Sequence, residues 1–594
     1  MATLKKEERT MSDWTILKRS FQYIRPHWRR FLLAISLMII VIALELAGPY
    51  LTGSVVEHLS KPEDYTYLSV LAFALGYLGC VLSSLGFMYL ETMILQKTGQ
   101  EIVYQLRQDV FSYIEKLSIA QIHEIPIGKF VSRVTSDTSS VNELYTTILV
   151  NLMKNFISLF GVIGMMFFLD VRIASWMMIF LPLVAVLSFI FRFLSRKAYR
   201  NVRHEMTAMS AFLNENLSGM KITQIFNQEK KKEQEFDTAN HRLVKAKSKQ
   251  NIVFAIFRPT ISFLYMAAVA FLLYLGIKRV GLPIEEGGIS IQVLWSFNEY
   301  ISRFFNPIQT LADQFNGLQR AFAASERLFL LMDMKPDLED EEDAMELEEV
   351  KGEIIFDHVW FAYQGEDWIL KDVSFTVHPK ETVAFVGATG AGKTTILSLI
   401  VRNYEIQKGT IYIDGIDIRK IKMSSLRKHI GQMLQDVFLF SGTIESNLNM
   451  RDDSIPHEKV VASARYIGAD QMIDRLEHGY EEPVKERGEN FSSGQRQLLS
   501  FTRTLVHDPS IMILDEATAN IDTETEVLIQ QSLEKMMNIG TMLIVAHRLS
   551  TIQHADQIIV LQKGEIIERG THQALLKKRG YYYNLYRLQF EHSE

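Results

Sequence analysis

The chain has 594 residues, too many for one hydrophobic core, so two or more domains are expected. A net charge of −6 argues against a dedicated nucleic-acid binder, and a single cysteine, Cys80, excludes an intrachain disulfide framework and fits a reducing cytosolic face. Apolar residues make up 48% of the chain but are spread very unevenly between its two halves.

The N-terminal stretch MATLKKEERTMSDWTILKRSFQYIRPHWRR is polar and charged. It shows neither an early apolar run nor a small-residue cleavage site, so the first apolar segment is expected to stay in the membrane. Six apolar runs of membrane length then follow, at about 32–56, 68–96, 148–169, 173–194, 252–277 and 289–312. Any one of them could be a buried core helix; six in one half of a chain point to membrane insertion.

Basic residues crowd the N-terminal arm (Lys18, Arg19, Arg25, Arg29, Arg30). They also crowd the long connections after the second run (Arg107, Lys116, Lys129, Arg133) and the fourth (Lys230, Lys231, Lys232, Lys245). The short turn after the first run holds only Lys61. By the positive-inside rule the N-terminus and both long connections face the cytosol. Segment 204–250 has helical spacing, many charges and few breakers, so the apolar helices are expected to continue into the cytosol as long arms.

The spans contain Glu45, Glu91, Lys154, Glu299 and Arg303. Ionisable groups at membrane depth are costly and face a cavity or pair with one another. Glu299 and Arg303, four apart on one helix, are placed to pair. Phe87, Met88, Tyr89, Trp295, Phe297, Tyr300, Phe304 and Phe305 either pack, face lipid or line an adaptable cavity for apolar compounds.

Residues 333–350, DMKPDLEDEEDAMELEEV, form an acidic stretch between two compositions and read as a linker between domains at 1–332 and 351–594. Beyond it, short β-rich runs (EIIFDHVWFAY, VSFTVHP, TVAFVG, GTIYIDG, SIMILDE, TMLIVAH, QIIVLQKG) alternate with helical patterns. That alternation predicts an α/β domain with a partly parallel sheet.

The strand TVAFVG runs into Gly387-Ala388-Thr389-Gly390-Ala391-Gly392-Lys393-Thr394-Thr395, the pattern G-x-x-x-x-G-K-[ST] between a strand and a helix. Such a loop wraps phosphates with backbone N–H groups; Lys393 reaches the β/γ-phosphates and the Thr394 hydroxyl ligates Mg²⁺. The strand IMIL ends in Asp515-Glu516. Asp515 can hold Mg²⁺ and Glu516 can accept a proton from an attacking water. An Asp-Glu pair could also simply start a helix, a reading disfavoured beside a phosphate loop. The strand TMLIVAH delivers His547 to the same sheet edge, where it could sense a γ-phosphate. Downstream of the phosphate loop, Ser492-Ser493-Gly494-Gln495 opens a helix, whose free N–H groups suit a second anion.

These motifs, in this order, resemble an ATP-binding cassette (ABC) exporter half-transporter, and the resemblance spans nearly the whole chain. It implies a membrane all-α six-helix transmembrane domain followed by a cytosolic α/β P-loop ABC nucleotide-binding domain. Tyr363 in VWFAY corresponds to the aromatic that stacks on adenine, GATGAGKT to Walker A, and Gln435 to the Q-loop, where it would help hold Mg²⁺. SSGQRQ corresponds to the signature, ILDEAT to Walker B, ANID to the D-loop and AHRLST to the His switch. The implied cofactors are ATP and Mg²⁺. The implied catalytic residues are Glu516 and His547, and the implied assembly is a dimer with two ATP molecules sandwiched head to tail. Phe491, Ser492, Ser493, Gly494, Gln495 and Asp522 would then face the ATP held by the other half. Segments around 119–128 and 211–220 resemble the helices that couple the spans to the nucleotide domains, with the Gln435–Phe440 region expected in that contact.

Two motifs depart from the family. The usual Leu-Ser-Gly-Gly-Gln signature is Phe491-Ser492-Ser493-Gly494-Gln495, and the usual Ser-Ala-Leu-Asp of the D-loop is Ala519-Asn520-Ile521-Asp522. A Cβ and hydroxyl at Ser493 add bulk beside phosphate and are expected to restrict the backbone. An altered signature beside complete Walker motifs resembles one half of a heterodimer with unequal sites, favoured over a homodimer; the partner is expected to lack the carboxylate after its Walker B Asp. The resemblance implies a multi-pass plasma-membrane protein, in contact with lipid, that exports small hydrophobic compounds and binds no nucleic acid. The alternatives are a lipid or lipid-linked flippase and, less favoured, an ATP-gated channel or a regulator that does not pump.

Overall fold

The computed structural model describes residues 11–60, 67–277, 279–280, 288–434, 436–515, 523–545 and 552–590. It forms two units: Met1–Glu115 with Ile127–Met334, and Lys116–Pro126 with Lys335–Glu594.

The first unit is helical. Among the described residues, the stretches Asp13–Ser60, Val70–Lys116, Ile127–Leu169, Val171–Ser218 and Glu229–Ile277 are long and apolar enough to cross a membrane. The sixth expected run, 289–312, overlaps the helix Ile291–Met332, which is not among these five stretches. Their length exceeds their apolar content: the helices Tyr67–Lys116 and Glu229–Ile277 have 50 and 49 residues. At 1.5 Å per residue each reaches about 75 Å, against about 30 Å of hydrocarbon, so more than half of each lies beyond the bilayer core. Phe168 and Phe193, 77% and 71% exposed, lie on surfaces that suit lipid and would be unfavourable in water.

Three expectations meet the structure here. Of the two readings of the aromatics, packing holds for Phe297, Tyr300, Phe304 and Phe305, which are buried with Val162, Val184 and Leu272 inside the bundle. Trp295, Met88 and Tyr89 remain exposed. Arg303 does not pair with Glu299; its guanidinium donates to the Glu45 carbonyl oxygen, while the Glu45 carboxylate lies 3.7 Å from Lys154 Nζ. The second short connecting helix lies later than 211–220: the long helix runs through Ser218, and Gly219 separates it from Met220–Ile225.

The second unit carries the sheets. An antiparallel sheet has the order β2-β1-β4-β5, from β1 (Ile354–Ala362), β2 (Trp368–Val377), β4 (Lys408–Ile413) and β5 (Ile416–Asp417). The larger sheet has the order β12-β11-β3-β10-β9-β6. It uses β3 (Thr382–Val386), β6 (Ile430–Met433), β9 (Ile511–Asp515), β10 (Thr541–Val545), β11 (Gln557–Gln562) and β12 (Glu565–Gly570). Pairing from β11 through β6 is parallel, and β12 joins antiparallel. Strands β3 and β10 are buried along their whole length, as parallel strands covered on both faces must be. A two-stranded pair, β7 (Gly442–Thr443) with β8 (Pro483–Val484), completes the strands among the described residues.

The short helix Ile119–Glu124 belongs to this second unit. Ser118 and Gln121 cap it reciprocally, and the Gln121 amide donates to the Lys335 carbonyl at 2.7 Å. The acidic stretch is fastened rather than free: Met345 bridges to Ile421, the Leu347 N–H donates to Ser425 Oγ at 2.8 Å, and Lys422 pairs with Glu346 at 2.8 Å.

Arg402 anchors the same region. Only 3% exposed, it pairs with Glu405 at 2.8 Å and Asp340 at 3.6 Å and donates to the carbonyl oxygens of Glu339, Arg419 and Ile421. Arg402→Met would remove both ion pairs and take this donor from the buried Ile421 carbonyl oxygen, a loss of about 1–3 kcal/mol. Thermal unfolding of the purified protein should show a midpoint several degrees lower. An unchanged midpoint would remove this anchor from the account.

Candidate functional site

Strand β3 ends at Val386, and the chain turns through an exposed loop, Ala388-Thr389-Gly390, into the helix Lys393–Ile400. Gly390 and Gly392 take φ values of +82° and +102°, which L side chains rarely adopt. A Cβ on Gly392 would also come within 2.6 Å of the Leu370 side chain. Gly392 caps the helix without any side-chain bond, so the first N–H groups point into the loop and are open to an anion. Ala391 is buried.

Lys393 is 7% exposed, and its ammonium donates to the carbonyl oxygens of Gly387 (2.7 Å) and Ala388 (3.2 Å). Burial lowers its pKa below the usual lysine value, and Asp515 partly offsets this. The Thr394 hydroxyl donates to Asp515 Oδ1 at 3.3 Å. Two cis ligands of a Mg²⁺ octahedron lie about 3 Å apart, so these oxygens fit one metal edge, with phosphate and water oxygens completing it.

Thr395 shares a hydrogen bond with the Tyr363 hydroxyl at 3.1 Å. The Tyr363 ring is 49% exposed and meets Phe361 and Tyr404 edge-on at 4.9 and 5.1 Å between centroids. Tyr404 in turn lies 3.4 Å from His123 Nδ1 of the short helix Ile119–Glu124. No motif marks Tyr404 or His123, and sequence reasoning missed both.

The parallel register sets the rest of the edge. Val545 of β10 lies opposite Phe385 of β3 on one side and Asp515 of β9 on the other; Met433 of β6 lies opposite Leu514. Gln435, Glu516, Asp522 and His547 lie outside the described residues. The strand ends that precede Gln435, Glu516 and His547 are side by side at the edge from which the phosphate loop leaves.

The polar cluster at 492–495 does open a helix, Ser493–Val506. Ser492 is its N-cap: its Oγ accepts from the Gln495 N–H at 3.2 Å, and Gln495 Oε1 accepts from the Ser492 N–H at 2.9 Å. Phe491 is buried and Gly494 is covered. Ser493 is the first helical residue and does not have a positive φ. The expected backbone restriction is therefore absent, and what the serine adds is a side chain. Arg503 on this helix donates to the carbonyl oxygens of Phe438 (3.0 Å) and Asn447 (2.9 Å), fixing the segment after Gln435. Sequence reasoning also missed Arg503.

Comparisons with known proteins agree with this geometry. Residues 31–308 match the family described as ABC transporter transmembrane region, and residues 370–519 the family described as ABC transporter. The chain is 39% identical to the "Probable multidrug resistance ABC transporter ATP-binding/permease protein YheH" of Bacillus subtilis, over 86% of this chain and 76% of that protein. It is 32% identical to an ATP-dependent lipid A-core flippase of Syntrophus aciditrophicus, over 97% of this chain and 95% of that one. Among solved structures it resembles a bacterial Atm1-family ABC exporter with ATP bound, with a TM-score of 0.78 and 26% identity over 96% of this chain and 99% of that one. The chain belongs to the ABC transporter family, as a multi-pass membrane exporter that binds and hydrolyses ATP.

Proposed function

We propose that this chain is one half of a dimeric exporter that moves hydrophobic or amphipathic compounds out across the plasma membrane, with its N-terminus and second unit in the cytoplasm. The observation that carries the ATP-driven part is the convergence of Lys393, Thr394 and Asp515 at one sheet edge. In this reading the Gly387–Thr395 loop holds the phosphates and Tyr363 offers its exposed face to the adenine. Thr394, Asp515 and Gln435 hold Mg²⁺, which would supply charge neutralisation at the phosphoryl group. Glu516 acts as the base toward water and His547 senses the γ-phosphate. Phe491–Gln495 and Asp522 serve the ATP on the other half.

The heterodimer is the favoured assembly because Ser493 puts a hydroxyl beside the N–H groups that the signature helix would offer to phosphate. Expressed alone and reconstituted, the chain should show little ATPase activity; with a half-transporter bearing a glycine at that position it should become active. Ser493→Gly in the pair should raise turnover a few-fold. Robust ATPase activity and transport by the chain alone would overturn the heterodimer.

The second reading, a lipid flippase, is favoured by the 32% identity to a lipid A-core flippase over nearly the whole chain. Vesicles containing both a fluorescent amphipathic dye and a labelled lipid separate the two. ATP-dependent movement of the dye without that of the lipid supports drug-like export; the reverse supports the flippase.

A further inference from the structure

The first span contains a proline, Pro49, inside the helix Trp28–Ser60. Proline has no N–H, so the carbonyl four residues earlier, that of Glu45, loses its helical donor. Nothing in hydrocarbon replaces such a donor except another protein group. The structure supplies one: the Arg303 guanidinium, from the helix Ile291–Met332, donates to that carbonyl oxygen.

Arg303 is the last member of a row. Gln292 donates to Ser54 Oγ at 2.7 Å, Ser296 to the Pro49 carbonyl at 2.9 Å, and Tyr300 to the Leu46 carbonyl at 2.6 Å. The spacing 292, 296, 300, 303 puts all four on one helix face. Gly53 lets that face approach: a Cβ there would come within 2.5 Å of Ser296 Oγ. The same residue, Glu45, pairs through its carboxylate with Lys154 at 3.7 Å, so one point on the first span is tied to two other helices.

We propose that Pro49 and Arg303 form a hinge and its clasp: the sixth helix sets the bend of the first span through Arg303, and transport requires that link. A proline-broken helix is free to bend, and the clasp makes the bend follow a neighbour. A charged side chain at membrane depth is costly to retain for a single backbone bond, which argues that the bond governs a movement. Arg303 and Tyr300 are positioning residues; neither need touch the transported compound.

The test is a double-mutant comparison in the assembled transporter in lipid nanodiscs, read by hydrogen exchange of a peptide covering residues 45–53. Arg303→Met should speed exchange about tenfold, as expected for loss of a charge-assisted bond. Pro49→Ala gives the Glu45 carbonyl its own helical donor. In that background Arg303→Met should therefore change exchange little. Unchanged exchange in the single variant, or equal acceleration with and without the proline, would overturn the clasp.

A second readout rests on the exporter reading and uses whichever dye the unaltered pair transports. Arg303→Met should lower efflux about tenfold while ATP hydrolysis stays within about twofold, and Arg303→Lys should recover part of the loss. Equal loss of both activities would count against a positioning role. Exchange does not depend on the cargo, so failure of the export reading and failure of the clasp give different results.

Discussion

Lys393→Met is expected to abolish ATP turnover, with a loss of about 100-fold or more, the usual cost of deleting one preorganised charge at a phosphoryl group. Gly390 and Gly392 take left-handed φ values, which let the loop fold back over the start of the helix Lys393–Ile400. Lys393 is then buried, with its ammonium held by the Gly387 and Ala388 carbonyls of the same loop. Phosphate oxygens carry full charge and would displace those neutral acceptors. Methionine keeps the stem and removes the charge, so the loop keeps its shape but loses its hold on the β/γ-phosphates. Lys393→Arg should fare little better, since a planar guanidinium needs room that a residue 7% exposed does not have. Fluorescent-nucleotide binding and phosphate release by the reconstituted pair of half-transporters read both effects. Retention of a third or more of the turnover by either variant would mean that this loop is not the phosphate cradle.

The turn from strand to helix at Gly387–Thr395 was legible because the pattern demands glycines and a lysine at set spacing, and Gly390 and Gly392 take the left-handed φ values that such a turn needs. The parallel strands were legible for a simpler reason: β3, β9, β10 and β11 are apolar runs covered on both faces. β6 and β12 were not. Ile-Gly-Gln-Met is four residues long with a glycine and an amide, and Glu-Ile-Ile-Glu-Arg-Gly is a half-exposed edge strand; neither stands out from the surrounding loops. The aromatics at 297, 300 and 304 illustrate an ambiguity of period. A helix face that lines a cavity and one that fills a core have the same spacing, and only the packing against Val162, Val184 and Leu272 decides between them. Pro49 was visible in the sequence, but its partner was not. Arg303 lies 254 positions away, and nothing in either helix alone says that one supplies what the other lacks. Ser493 taught the opposite lesson. The departure from the family pattern was plain, but its backbone consequence depended on φ, which the helix start makes ordinary for any L-residue.

Asp515→Asn should separate nucleotide binding from hydrolysis. The asparagine keeps the size of the side chain and an oxygen, so the strand β9 and the hydrogen bond toward Thr394 can persist. What is lost is the negative charge that would help hold Mg²⁺ beside the phosphates. Loss of metal-assisted charge stabilisation should lower turnover by about 100-fold or more and raise the Mg²⁺ concentration needed for half-activity. A second consequence follows from Lys393. Burial lowers the lysine pKa and Asp515 raises it, so removal of the carboxylate charge moves the lysine further down. A lysine with a lower pKa loses its proton at a lower pH. Nucleotide affinity, measured without Mg²⁺ across the alkaline range, should therefore begin to fall at lower pH in Asp515→Asn than in the unaltered chain. The sign matters: a carboxylate that merely repelled phosphate would, once neutralised, give tighter nucleotide binding and no earlier alkaline loss. That result, together with an unchanged Mg²⁺ requirement, would assign the metal edge to other residues.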